Sequence, residues 1–330
     1  MKLEDIGFYT LSDARARNLT AQDNMKRCEL IITEYCNFKC PYCRGLDDSI
    51  YGNRPQKQLA LSEVKGIIDA WCDLGPVENI RFSGGEPTIH KNIREIVQYA
   101  KLKGCKRIAI STNGSNKTEL YKNLIADGVN DFSISLDACC ADVGDKMAGG
   151  VPGAWEKVVE NIKELSKLTY VTVGVVLTPD NAASLIETIL FAHSLGVADI
   201  RIITAAQWNG KLVDLEKIPE EALNAHPILR YRVNRLLNGY GVRGISILDN
   251  NKCPLVLDDS IVAGNYHFPC VIYMREKGKA IGRVSANMRA ERMEWFKSHD
   301  SHKDEICKKN CLDVCVEYCN KVKSLSSVQK

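Results

Sequence analysis

From Cys28 to Thr204, short and nearly continuous apolar runs alternate with stretches in which apolar residues recur every three or four positions. The runs are CELIIT (28–33), NIRFS (79–83), RIAIST (107–112), DFSISLD (131–137), VTVGVVL (171–177) and ADIRIIT (198–204). Rich in β-branched residues, they predict parallel strands covered on both faces. Between them LSEVKGIIDAWCDL, HKNIREIVQYAKLK, NKTELYKNLIADG, GAWEKVVENIKELSKL and NAASLIETILFAHSLG predict helices, with Ser62 as a start signal and Gly104 and Gly196 as stop signals. Six βα units in series predict an α/β fold whose parallel sheet is either open or part of a barrel. Functional residues in such folds collect at the C-terminal ends of the strands. GGEP, NG and ACC follow the second, third and fourth strands directly.

Beyond Thr204 this rhythm stops. Residues 219–237 predict one or two helices, interrupted at His226-Pro227. CPLVLDDSIVAGNYHFPC reads as Cys253, a strand, a Gly264-Asn265 turn and a strand ending at Cys270. A charged stretch and a cysteine-rich tail follow. The expected division is an N-terminal extension (1–27), a (βα)6 core (28–205), a helical connection (206–252) and a small C-terminal cluster-binding unit (253–330).

Composition then narrows the function classes. The 330 residues carry 44 Lys and Arg against 41 Asp and Glu, a formal charge of +3 that argues against a nucleic-acid partner. The longest apolar run, around Tyr170–Thr178, falls far short of the roughly 20 residues of a membrane-spanning helix. MKLEDIGFYTLSDARAR lacks the apolar centre of a signal peptide. The expectation is a cytoplasmic protein with no membrane partner. In that compartment fourteen cysteines point to metal binding or catalysis rather than disulfides. Three lie together at Cys36, Cys40 and Cys43, and six lie beyond residue 252. Two clusters of cysteine suggest two metal centres.

The first group, CNFKCPYC, follows the first strand directly. Its plain reading is a zinc site or a set of buried thiols, but zinc takes four ligands and no further Cys or His follows nearby. Three thiolates suit a 4Fe–4S cubane that keeps one iron free of protein. Pro41 opposes a plain helix through the segment.

Four motifs occur in order on successive strand ends: C-x3-C-x-aromatic-C (Cys36, Cys40, Tyr42, Cys43), SGGEP (Ser83–Pro87), STNG (Ser111–Gly114) and SISLD (Ser133–Asp137). Together they resemble the radical SAM superfamily over roughly residues 28–204. The resemblance implies a partial (βα)6 TIM-type barrel in which Cys36, Cys40 and Cys43 hold a 4Fe–4S cluster. It implies chelation of S-adenosylmethionine by the open iron and its one-electron cleavage to methionine and a 5′-deoxyadenosyl radical, which abstracts a hydrogen atom. It places Gly84, Gly85, Glu86 and Pro87 at the methionyl group, the glycines for close approach and Glu86 as acceptor for the ammonium. Tyr42 is expected near the adenine, and Asn113, Ser135 and Asp137 near ribose hydroxyls or methionyl atoms. The plain alternative for each polar residue is a turn or cap. An electron donor such as flavodoxin or ferredoxin is also implied. One position departs from the pattern. Relatives with a C-terminal cluster domain often carry Asp-x-apolar-Arg-Gly after the fourth strand, the arginine helping to hold the methionyl carboxylate, whereas Asp145-Lys146-Met147-Ala148-Gly149 has alanine there.

In the tail, Cys307, Cys311, Cys315 and Cys319 are spaced evenly by four. On one unbroken helix they would span roughly 18 Å, too far for a single cubane, so a break is expected over Lys308–Asp313. A cysteine-bearing hairpin followed by such a segment resembles the twitch and SPASM cluster domains, although the spacing departs from C-x2-C-x5-C-x3-C. The implied auxiliary 4Fe–4S cluster takes Cys270, Cys307, Cys311 and Cys315, with Cys253 and Cys319 as alternates and structural zinc as the rival reading. Cys139 and Cys140 end the fourth strand and are candidate hydrogen-atom donors, as in epimerases that this chain resembles; their plain reading is small buried hydrophobes. Cys28, Cys72 and Cys105 read as core.

The expected function is a radical SAM enzyme that acts on an unactivated C–H of a peptide or small molecule, assisted by the auxiliary cluster. A redox-neutral epimerase is the alternative within this chemistry. An electron-transfer or scaffold protein is the alternative of another class, and the GGEP and ISLD segments argue against it. The combination resembles peptide-modifying maturases, the molybdopterin-precursor cyclase and aminocyclitol dehydrogenases. No peptide-recognition domain is expected before the first strand, and the cyclase's glycine-rich tail with arginines is not found in the closing SLSSVQK.

Overall fold

The computed structural model describes residues 12–20, 25–44, 57–205, 208 and 214–325. Strands β1 (Arg27–Thr33), β2 (Asn79–Gly84), β3 (Arg107–Thr112), β4 (Asp131–Ser135), β5 (Tyr170–Leu177), β6 (Asp199–Thr204), β7 (Asp259–Ala263), β8 (Tyr266–Phe268) and β9 (Gly282–Arg283) form one sheet. Its order is β6-β5-β4-β3-β2-β1-β7-β8-β9. The first six strands pair in parallel, each with its successor, which gives the partial barrel. All six expected strands are present with ends shifted by at most two residues. The largest shift is in β4, where the Asp137 carboxylate, not its backbone, takes the Val176 N–H (2.7 Å).

The helices Leu61–Trp71, Ile93–Leu102, Thr118–Asp127, Ala154–Ser166 and Leu185–Ser194 follow their strands as expected. Ser62 does not start the first of them, because it lies inside the helix. The Glu63 carboxylate does so instead, accepting the Ala60 N–H (2.7 Å). One strand face, including Leu30, Ile32, Ile80, Phe82, Ile110, Phe132 and Val173, joins the helices in a single apolar core.

The other face departs from the expectation of strands apolar on both sides. It carries charge: Ser83 donates to Glu29 (2.7 Å), Arg81 to Ser111 (2.9 Å) and Asp131 (3.2 Å), and Arg107 to Asp131 (3.0 Å). The inner face is therefore polar, its charges tolerated because they are paired.

Residues 220–237 form two helices, Glu220–Ala225 and Pro227–Leu237, broken at His226 as the proline requires. The β7–β8 hairpin turns at Gly264 (φ 62°). The stretch read as a separate C-terminal unit does not form a sheet of its own, because β7 pairs in parallel with β1. Ion pairs Arg15–Asp258 (2.6 Å) and Arg27–Asp259 (2.8 Å) reinforce that junction. Arg292, buried on the helix Met288–Ser298, donates to the carbonyls of Val256 (2.7 Å), Phe268 (3.0 Å) and Asp259. The tail breaks where expected, into helices Glu305–Asn310 and Asp313–Leu325. Among the described residues no helix is long and apolar enough to cross a membrane.

Candidate active site

The first cysteine group hangs from the end of β1 and is clamped by neighbouring strand ends. The N–H of Gly85 donates to the Thr33 carbonyl and that of Glu86 to the Tyr35 carbonyl, each at 2.8 Å. This packing explains the two glycines. A Cβ on Gly84 would stand 2.0 Å from the Thr33 oxygen, and one on Gly85 2.1 Å from the Tyr35 oxygen. The backbone they admit is that of Thr33 and Tyr35. On the far side Lys39 N–H donates to the Ala148 carbonyl (3.2 Å), and a Cβ on Gly149 would meet the Lys39 oxygen at 2.6 Å. The position expected to hold arginine is thus a buried alanine seated against the cysteine loop. Asp145 caps the helix Ala154–Ser166, accepting from the N–H groups of Gly153 (2.7 Å) and Trp155 (2.8 Å). Lys146 pairs with Asp180 at the surface (3.0 Å).

Within the loop, Cys43 N–H donates to the Cys40 carbonyl (2.9 Å), and the Cys36 sulfur accepts from Phe38 N–H (3.4 Å) and Asn113 Nδ2 (3.8 Å). Asn113 also donates to Asn37 Oδ1 (2.9 Å) and accepts from Ser115. Burial raises the Cys36 thiol and pushes Cys40 up to about 12, with nearby carboxylates and the neighbouring thiols adding to both. Among the described residues the sole His/Cys/Asp/Glu group with ligand atoms all within 4.8 Å of one another is His299, Asp304 and Cys307. The sulfurs of Cys36, Cys40 and Cys43 are therefore not all within 4.8 Å of one another.

Glu86 does not face outward to an ammonium. It is fully buried, and Oε1 accepts from Thr88 N–H (2.9 Å), Thr88 Oγ1 (2.6 Å) and Thr112 Oγ1 (2.7 Å). Oε2 accepts from Asn113 N–H (2.6 Å). It ties the end of β2 to the end of β3, a positioning role for the residue that touches Cys36. Pro87, buried, starts the short turn that follows. Tyr42 donates to Asp137 Oδ2 (2.5 Å), so these two close the mouth between the cysteine loop and β4. Burial raises the Asp137 carboxyl to about 6, against the pull of Tyr42 and the Val176 N–H. Ser135 lies exposed at the end of β4.

Cys139 and Cys140 do not join this group. Cys139 lies beside Cys140 and near Thr188 of the helix Leu185–Ser194, and Cys140 is exposed at the start of the helix Ala141–Met147. Both follow the end of β4, whose pairing with β5 runs through Ser135 and the Leu136 N–H to the Gly174 carbonyl (3.0 Å). Cys28 and Cys105 are core residues, with Cys72 packed against them.

The second group gathers six thiols. The thiols of Cys253 and Cys319 are direct neighbours. Burial pushes up Cys270 (to about 12), Cys307, Cys311 and Cys315, and the charge of Cys253 adds to each. Cys253 thus lies among the four; Cys319, buried with Leu255 and Tyr318 in a small apolar core that Cys253 and Cys315 also touch, lies near Cys253, Cys311 and Cys315 as well. The break at Cys311 is what lets the evenly spaced cysteines converge.

Sequence reading missed the surroundings of Cys307. Asp304 accepts its N–H (2.9 Å) and the Tyr273 hydroxyl (3.0 Å), while His299 Nε2 lies 3.5 Å from its sulfur and stacks on Trp295 at 3.9 Å. Asp304 carries a helix-cap signal three residues before Cys307; His299 carries none. Arg44, paired with Glu276, was missed too.

Residues 30–192 match the sequence model of the Radical SAM superfamily. An AdoMet-dependent heme synthase of Methanosarcina barkeri is 32% identical over 168 residues, 50% of this chain and 46% of that protein, so the match spans about half its length. A probable GTP 3′,8-cyclase of Sulfurisphaera tokodaii is 28% identical over 62% of this chain and 69% of its own. Streptococcus suis SuiB bound to S-adenosylmethionine shares the fold at a TM-score of 0.59 and 15% identity, over 84% of this chain and 66% of that one. SuiB has also been solved with its precursor peptide SuiA.

Proposed function

This chain belongs to the radical SAM superfamily of enzymes, which use a 4Fe–4S cluster and S-adenosylmethionine, and on that premise we propose that it removes a hydrogen atom from an unactivated C–H of a peptide or small-molecule substrate with the help of a second 4Fe–4S cluster. The observation that carries this reading is the clamp on the cysteine loop, with three thiols spread at the C-terminal mouth of the barrel. The bound cluster and cofactor would supply one-electron cleavage of the C5′–S bond and the 5′-deoxyadenosyl radical.

The protein's share is placement. Cys36, Cys40 and Cys43 offer three sulfurs. The Gly84–Glu86 backbone and the Ala148 carbonyl fix their loop, and Asn113 holds the Cys36 sulfur. Tyr42 and Asp137 border the mouth. Six convergent thiols favour the second cluster, with Cys253 a ligand candidate on equal terms with Cys270, Cys307, Cys311 and Cys315. Cys139 and Cys140, the candidate hydrogen-atom donors, are not needed for this reading. In the test, reconstituted C36A, C40A and C43A variants form no 5′-deoxyadenosine under reduction while keeping the tail cluster's irons. Undiminished cleavage in any of them would overturn the assignment.

A further inference from the structure

Between the two cysteine groups lies a set of arginines that the function above leaves unused. Arg44 directly follows Cys43 and pairs with Glu276. Glu276 and Arg275 end the short helix that opens at Cys270. Arg243 spans the rim of the barrel, donating to the Thr204 carbonyl at the end of β6 (3.3 Å) and to the Asn310 carbonyl just before Cys311 (3.4 Å). Its strip of chain is stitched to the cysteine segment by Gly244 N–H to Cys311 O (2.9 Å) and Ile245 N–H to Lys308 O (3.1 Å).

Three cations thus gather around Glu276, and Arg275 also acts on the buried Glu29. Arg44, Arg275 and Glu276 all act on Arg243 through space. The buried Nε of Arg243 has no acceptor among the described residues. Arg275, exposed, forms no ion pair among them. Half-buried positive charge with an orphaned donor costs free energy until an anion completes it, and guanidinium forks match the oxygens of carboxylate and phosphate groups.

We propose that Arg243, Arg275 and Arg44 form an oxyanion subsite, and that the substrate carries a carboxylate or phosphate group that docks there. The inference rests on the two cysteine groups being the two cluster sites. An anionic end held at that place would lie between them and fix which C–H faces the first.

The test is calorimetric titration of the anaerobically reconstituted holoprotein with sodium phosphate and, separately, sodium succinate, with iron counted in every preparation. The expected result is saturable binding of at least one anion, weakened tenfold or more in R243Q and R275Q at unchanged iron content. The anion that binds tells phosphate from carboxylate. Because Arg275 is exposed, R275Q remains informative if R243Q does not fold. Three results overturn the proposal: no saturable binding of either anion, equal binding by wild type and both variants, or loss of about four irons in the variants, which would mean that the arginines offset the charge of a cluster. Intact anion binding without cleavage of S-adenosylmethionine would count against the function proposed above and leave the subsite standing.

Discussion

Glu86→Ala separates a residue that positions the site from one that touches the cofactor. In the fold Glu86 satisfies two backbone N–H groups, those of Thr88 and Asn113, and two hydroxyls, and it is fully buried. The hydroxyls of Thr88 and Thr112 can rotate to other partners; the amides cannot. Each stranded buried amide costs about 1–3 kcal/mol, so the pair sets an expected loss of about 4 kcal/mol. Part of this is offset, because burying the carboxylate is itself unfavourable, and a net loss of about 2–4 kcal/mol remains. With a urea slope near 3 kcal/mol per M, the unfolding midpoint should fall by about 1 M, as read from tryptophan fluorescence. Iron content of the first site should fall with it, since the freed Asn113 no longer holds the Cys36 sulfur. A variant with the wild-type midpoint and full iron, but weakened S-adenosylmethionine binding, would refute this argument and make Glu86 a direct contact.

Gly85→Ala should be harsher at the cluster than in the fold elsewhere, because its Cβ would overlap the Tyr35 carbonyl and push the cysteine loop away; full occupancy of the first site by iron would contradict the clamp. Reconstituted wild type should bind about eight irons, and C311S/C315S about four with 5′-deoxyadenosine formation retained; one tightly held zinc in place of the second four would make the tail a zinc site. Between two neighbouring helices the Arg94 guanidinium holds the Asp127 carboxyl below its ordinary value through bonds of 2.6 and 3.1 Å. A depressed carboxyl stabilises the fold above its unfolded pKa, and that gain is lost as pH falls through the folded one. Arg94→Ala should therefore be less stable than wild type at pH 7, and the gap should close on acidification; a gap constant from pH 7 to pH 3 would exclude the linkage.

The local parts of this architecture were legible because each has a local cause. The core strands announced themselves by runs such as VTVGVVL, the interruption at His226 by Pro227, and the β7–β8 turn by Gly264-Asn265. The break in the tail followed from the reach of one cubane along a helix. What stayed hidden depends on residues far apart. Nothing near Glu86 signals that Thr112 and Asn113, on the next strand, will supply its donors. The lumen charges were absorbed into apolar runs because Arg81 and Asp131 find their partners across strands. Asp145 kept its place in a recognisable motif while serving as a helix cap. The arginine set belongs to three separate stretches of chain and has no spacing at all.

The pairing of β7 with β1 makes the order of synthesis matter. Arg27 meets Asp259 across 232 positions of sequence, so one flank of β1 waits for that much more chain to be made. At about 5–20 residues per second the wait is roughly 10–45 s. Throughout it an apolar strand offers an open ladder of N–H and C=O groups, a template for pairing with other nascent chains. The cysteine loop is carried by that same strand, so its scaffold is complete only after the hairpin has docked. A chain stopped before Asp259 would retain every motif of the first site and still present that open edge. Such a fragment should aggregate rather than behave as a one-cluster enzyme, and slower growth at low temperature should not rescue it, because the missing flank never arrives.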